Sequence, residues 1–217
     1  SFDKDVETLN MQTKQKGEKL YIVCDKDQLD ENGSMQIFSL IDKLSAELSI
    51  VKDENQKKNL LIHRAIAHSV LRDFEAAIQD FDDYLKLDDH NALAYWARAV
   101  CQMEMDEFHV AEGQPILNVH SAEADLSDAI RLSNNNNAYI YYNRANLHAK
   151  RKELSKAIDD YTMAIKIDNR LAEAYYNRGI ARSKSGNKAA AIQDLSKAGE
   201  LGLYDAYSVI KRLNKQK

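Results

Sequence analysis

Arg64, Arg98, Arg144 and Arg178 recur along the chain, and each is followed by an aspartate: Asp80, Asp125, Asp160 and Asp194. A guanidinium and a carboxylate meet through two parallel hydrogen bonds, and that fork fixes geometry as well as charge. Four such arginines have two chemical uses. They line a site for acidic ligands, or they pair with the four aspartates and hold the fold. We expect the pairing, because the two residue types recur together. The six histidines (His63, His68, His90, His109, His120 and His148) are scattered. Two of them, His109 and His120, flank one segment, but two nitrogens without a cysteine or carboxylate pattern make no metal site. Cys24 and Cys101 form neither a CxxC pair nor a disulfide framework. No phosphate-binding glycine loop, nucleophile elbow or HExxH occurs. The expectation is a chain without enzymatic activity, metal or cofactor.

The elements that must position these residues repeat. Ala138–Leu171 shifted by 34 residues falls on Ala172–Asp205. Tyr141-Tyr142-Asn143-Arg144-Ala145 then meets Tyr175-Tyr176-Asn177-Arg178-Gly179. A fixed period of this length signals a repeat architecture. Across 217 residues, 44% are hydrophobic, with only 7 glycines and 1 proline. That composition favours helices over a sandwich or barrel, which need many turns. A net charge of −4 gives no overall signal for nucleic acid. No run of apolar residues is long enough to span a membrane. The first residue is Ser1 rather than Met, which points to a processed or cut chain. The compartment is left open: cytoplasmic, or extracytoplasmic if a leader has been removed.

In order, residues 1–57 form an N-terminal segment and capping helix. Val6, Leu9 and Thr13 hint at a weak helix, Lys19–Cys24 is a short apolar run, and Asp25–Ser34 is a polar connection. Helical spacing is firm from Met35 to Val51, with Ser34 as N-cap. Asn32-Gly33-Ser34 fits a glycosylation sequon but reads as a turn plus that cap. Residues 58–202 hold four repeats: 58–91, 92–137, 138–171 and 172–202. The second is interrupted by an insertion around 109–120, which contains Pro115. Residues 203–217 are a C-terminal capping helix and basic tail.

Residues can be numbered within each repeat from Lys58, Ala92, Ala138 and Ala172, allowing for the insertion. Position 4 is then Leu61, Tyr95, Tyr141 and Tyr175; position 8 is Ala65, Ala99, Ala145 and Gly179; position 20 is Ala77, Ala122, Ala157 and Ala191. Small residues sit where helices cross closely. The pattern resembles tetratricopeptide repeats, and it departs from them at Tyr84 and Glu123. The resemblance implies an all-α, right-handed solenoid of helix–turn–helix units. In this numbering the arginines hold position 7 and the aspartates position 23, on the two helices of one hairpin.

The resemblance also implies a concave groove lined by positions 2, 5, 9 and 12 of each first helix. On this chain the groove contains Trp96, Met103, Tyr139, Tyr142, Asn146 and Tyr176, with Asn143 and Asn177 at position 6. Trp96, Tyr142 and Tyr176 are the expected anchors for a peptide or partner helix, since such rings are enriched at binding hot spots. The alternative is a structural segment whose groove is filled by its own or a neighbouring chain. A grip on a terminal carboxylate, as in some family members, matches only at Asn146 and the position-6 asparagines; Tyr142 and Tyr176 stand where lysine is required. The charge is uneven. Arg72–His90 is acidic and Arg170–Lys217 is basic, which suggests self-association or an acidic partner at the C-terminal end.

Overall fold

The computed structural model describes residues 31–113 and 121–215. Among them are ten α-helices and no strand. We label them α1 (Glu31–Ile50), α2 (Glu54–Val70), α3 (Phe74–Leu87), α4 (Ala92–Ala111), α5 (Ala122–Leu132), α6 (Ala138–Lys150), α7 (Leu154–Ile167), α8 (Ala172–Lys184), α9 (Lys188–Glu200) and α10 (Asp205–Lys215). The helices fall into two compact units, one holding α1–α5 and the other α6–α10. In each unit, helices adjacent in sequence pack on one another. The fold is all-α, in the solenoid class of the tetratricopeptide repeats.

Local chemistry sets the helix starts. Asp53, Asp73, Asn91, Ser121, Asn137 and Asn187 precede helices and accept hydrogen bonds from backbone N–H groups of the first turn. Each satisfies a donor that the helix itself cannot. The small residues of the repeat lie at the crossings: Ala65, Ala77, Ala99, Ala129, Ala145, Ala157, Ala164, Ala191 and Ala198 are all fully buried. Phe81 and Leu126 fill the first unit, and Leu195 fills the second. At Tyr84, the first departure from the pattern, the ring is buried. Its hydroxyl donates to Asp88 at 3.3 Å and accepts from Asn91 at 2.8 Å, which ties α3 to the start of α4.

Three boundaries differ from expectation. Helix α1 begins at Glu31, so Asn32, Gly33 and Ser34 lie inside it and form neither a turn nor an N-cap. A glutamate in the first turn suits the positive end of the helix dipole. Helix α4 runs through the start of the insertion to Ala111, because Met105 and His109 carry its buried face onward. It stops at Gly113, whose φ of +68° is the left-handed turn that ends helices. The C-terminal helix starts at Asp205 rather than Leu203. The expectations for residues 1–30 and for His120 lie outside the described residues.

Candidate functional site

Each of the four arginines forks onto its aspartate. Arg64 donates to Asp80 from Nε at 2.8 Å and Nη2 at 2.7 Å. Arg98 meets Asp125 at 2.8 Å through both. The Arg144–Asp160 distances are 2.7 and 2.8 Å, and the Arg178–Asp194 distances are 2.9 and 2.7 Å. The aspartates are buried. Arg98, Arg144 and Arg178 also lie over the position-4 rings Tyr95, Tyr141 and Tyr175, each with Cζ 5.7 Å from the ring centroid. A guanidinium held this way is consumed by the fold. These arginines do not present an open row to an acidic ligand.

Two further legs of this arrangement went unforeseen in the sequence. The remaining nitrogen of the arginine reaches the element before its own repeat. Nη1 donates from Arg64 to Ser45 at 3.0 Å, from Arg98 to Asp82 at 2.9 Å and from Arg178 to Thr162 at 3.0 Å. Position 11 adds a second cationic or ionisable group to the same carboxylate. Arg182 donates to Asp194 at 2.9 Å, and His148 Nε2 lies 3.7 Å from Asp160. The other ring nitrogen of His148 lies 2.8 Å from the Glu153 carboxylate. Hydrogen bonds from His148 and then Lys156 hold Glu153 below the usual carboxylate range.

The same places carry the hairpin turns. Arg72, Lys152 and Gly186 occupy position 15 with φ of +62°, +62° and +86°. The next residue's N–H bonds back to the carbonyl of His68, His148 or Arg182, which closes a Schellman turn. One position therefore supplies a carbonyl to the turn and a side chain to the ion pair.

The proposed groove residues divide by burial. Trp96 is 1% exposed, Met103 5% and Tyr142 0%, so none offers a free surface. Each packs among helices, and the first two belong to the first unit. Tyr139, Asn146 and Tyr176 are half-buried. In the second unit α6 and α8 bring Tyr142, Asn146 and Asn177 together. The Asn177 amide donates to the Tyr142 hydroxyl at 3.0 Å and to Asn146 Oδ1 at 3.1 Å. Tyr161 of α7 donates to that same oxygen at 2.5 Å. The Tyr142 and Tyr161 rings are tilted, with centroids 6.0 Å apart. Asn143 is fully buried, and neither end of its side-chain amide has a hydrogen-bond partner among the described residues. Glu173, at position 2 of repeat four, has its carboxyl raised by burial.

Residues 138–170 and 172–201 each match a family model described as tetratricopeptide repeat. Residues 138–201 carry two tetratricopeptide repeats. These two repeats contain the α6–α8 face just described. The chain is 32% identical over 100 residues to the human small glutamine-rich tetratricopeptide repeat-containing protein beta, covering 44% of this chain and 33% of that one. It spans a third or less of the length of the curated relatives it matches. Among solved structures, MamA from Desulfovibrio magneticus RS-1, from residue 41 to its end, superimposes with a TM-score of 0.64 at 19% identity, over 82% of this chain and 95% of that one. YrrB, described as a tetratricopeptide repeat protein with an unusual peptide-binding site, gives 0.61 at 16% identity, over 97% and 98%. At such identities the likeness is one of fold.

No three His, Cys, Asp or Glu side chains among the described residues stand close enough to hold a metal ion. Cys101 is fully buried, and burial, aided by Glu104, pushes its thiol far above the usual range. It is no nucleophile at neutral pH. No described helix is long and apolar enough to cross a membrane.

Proposed function

We propose that the chain is a non-enzymatic protein-interaction scaffold, and that the α6–α8 face of the second unit receives an extended peptide or partner helix. The observation that carries this reading is that half-buried Asn146 is fixed by Tyr161 and Asn177, while Tyr139 and Tyr176 on the same two helices, α6 and α8, are half-buried as well. A polar side chain fixed in this way offers its contacts at little entropic cost. Peptide binding by YrrB supports the reading by analogy of fold. Tyr142 acts here as a support, Trp96 belongs to the core of the first unit, and Tyr139 and Tyr176 take the role of anchors.

The burial of Trp96, Met103 and Tyr142 favours a second reading, in which the chain is a structural segment that packs its own groove positions. A peptide array separates the two. Wild-type chain is compared with a Tyr139→Ala, Tyr176→Ala variant after circular dichroism confirms that both are helical. Peptides retained by wild type and lost by the variant support the binding face. An array with no bound peptide sinks it in favour of the structural segment.

A further inference from the structure

Helix α10 carries charge that the fold does not use. With Tyr176 of α8, its residues Ser208, Val209, Lys211, Arg212 and Lys215 line an open cleft of about 670 Å³. Lys211, Arg212 and Lys215 are exposed, and none makes an ion pair among the described residues. Ala206, Val209 and Leu213 of α10 are buried in the apolar cluster shared with α9, and Val209 also reaches the cleft. The helix is thereby fixed with its cations turned outward around the cleft. The negative end of the helix dipole favours cations in the last turn, but it leaves their hydrogen-bond donors open. Asp205, at the other end of the cleft, is the one acid in its lining.

The acidic stretch of the first unit is a poorer match for this cleft, because four of its acids are already paired with lysine or arginine. Asp80 and Asp82 are held by Arg64 and Arg98, Asp83 by Lys86, and Asp88 faces Lys58 at 3.7 Å. Head-to-tail contact between copies through those four acids would have to break their pairs. A polyanion such as nucleic acid would meet three cations in the cleft lining, on a chain of net charge −4. A short acidic segment needs no more than those three, and Tyr176 and Val209 give an apolar floor for a side chain between its carboxylates.

We propose that the α8–α10 cleft docks an acidic peptide segment of another protein. Its carboxylates meet Lys211, Arg212 and Lys215, and an apolar or aromatic side chain rests on Tyr176. The proposal rests on the peptide-binding reading above and adds the charge of the peptide to it.

The test is fluorescence anisotropy on the full chain. Three short fluorescein-labelled peptides share their apolar residues and differ elsewhere in being all glutamate, all glutamine or all lysine. Wild type should bind the glutamate peptide roughly tenfold more tightly than the glutamine one, with the advantage fading at high salt. Lys211→Glu, Arg212→Glu, Lys215→Glu should abolish that advantage, and the glutamine triple variant should reduce it. These side chains are exposed, and circular dichroism checks that both variants keep their helices. Equal binding of the glutamate and glutamine peptides, or a reversed variant that holds the glutamate peptide unchanged, overturns the acidic cleft and leaves the scaffold reading intact. Failure of all three peptides, together with a blank array, overturns both. Tighter binding of single-stranded DNA or phosphatidylserine vesicles than of the glutamate peptide assigns the cations to a polyanion instead. Self-association in sedimentation that vanishes with charge reversal assigns the cleft to a second copy.

Discussion

Arg144 grips Asp160 with two hydrogen bonds of 2.7 and 2.8 Å, while His148 stands 3.7 Å from the same carboxylate. Asp160 is buried with one full cation and one titratable ring for company. Removing the aspartate strands the arginine. Asp160→Ala should therefore destabilise the second unit by about 3–5 kcal/mol, the usual cost of breaking a buried pair from one side. Urea unfolding followed by circular dichroism reads it. The double variant Asp160→Ala, Arg144→Met should recover part of the loss. A loss within about 0.5 kcal/mol, as at an ordinary surface site, would show that the fork is ornamental.

Lys152 ends α6 with φ of +62°, where Gly186 stands at the same place in the next repeat. A left-handed conformation costs a residue with a Cβ about 1 kcal/mol or more. Lys152 is exposed, so its side chain gives little in return. Lys152→Gly should raise the thermal midpoint, by an amount corresponding to about 1 kcal/mol or less, since glycine also loosens the unfolded chain. An unchanged or lower midpoint would mean that the turn carries no such strain.

Glu153 is held below the ordinary carboxylate range by His148 and then Lys156. A depressed folded value means that the group stabilises the fold above its unfolded value, and that this contribution disappears as pH falls through the folded value. Glu153→Gln should flatten the loss of stability on acidification between about pH 5 and pH 3. Denaturant midpoints at stepped pH measure the slope. Parallel curves for wild type and variant would contradict the assignment.

Gly179 takes position 8, where the other repeats have alanine. A Cβ there would lie 2.9 Å from Leu195 Cγ and 3.2 Å from the Ala191 carbonyl oxygen. The α8–α9 crossing leaves no ordinary room for a Cβ at this position. Gly179→Val should cost about 1–3 kcal/mol through overpacking. A variant as stable as wild type, measured by chemical unfolding, would show that α8 can shift without loss.

The period of 34 made the hairpins and the Arg–Asp forks legible, because one spacing places both residue types on facing helices in every copy. The extended α4 was harder to see. The insertion breaks the period at the point where Met105 and His109 continue the buried face, so a helix that simply runs on looks like lost register. The link from Arg98 and Arg178 to the preceding helix had a signal, since Asp82 and Thr162 share position 25, but no rule of spacing says that a third donor is spare. The groove was the least legible part. Position tells which way Trp96 and Tyr142 point, and only packing tells whether anything is left uncovered. For both, almost nothing is.

The arginine Nη1 links to Ser45, Asp82 and Thr162 have a consequence for how the units come apart. Repeat arrays behave as rows of neighbours whose interfaces sum to the total stability. Here the guanidinium that closes a hairpin also fastens it to the element before, so hairpin and neighbour melt as one cooperative step. Helix α10 has no such fastening among the described residues and is kept by an apolar cluster shared with α9 and with Tyr175, Tyr176 and Ile180 of α8. In amide exchange, its protons should be lost first, well ahead of those on the clamped α8 and α9, and the order of fraying would be written in the positions of the arginines.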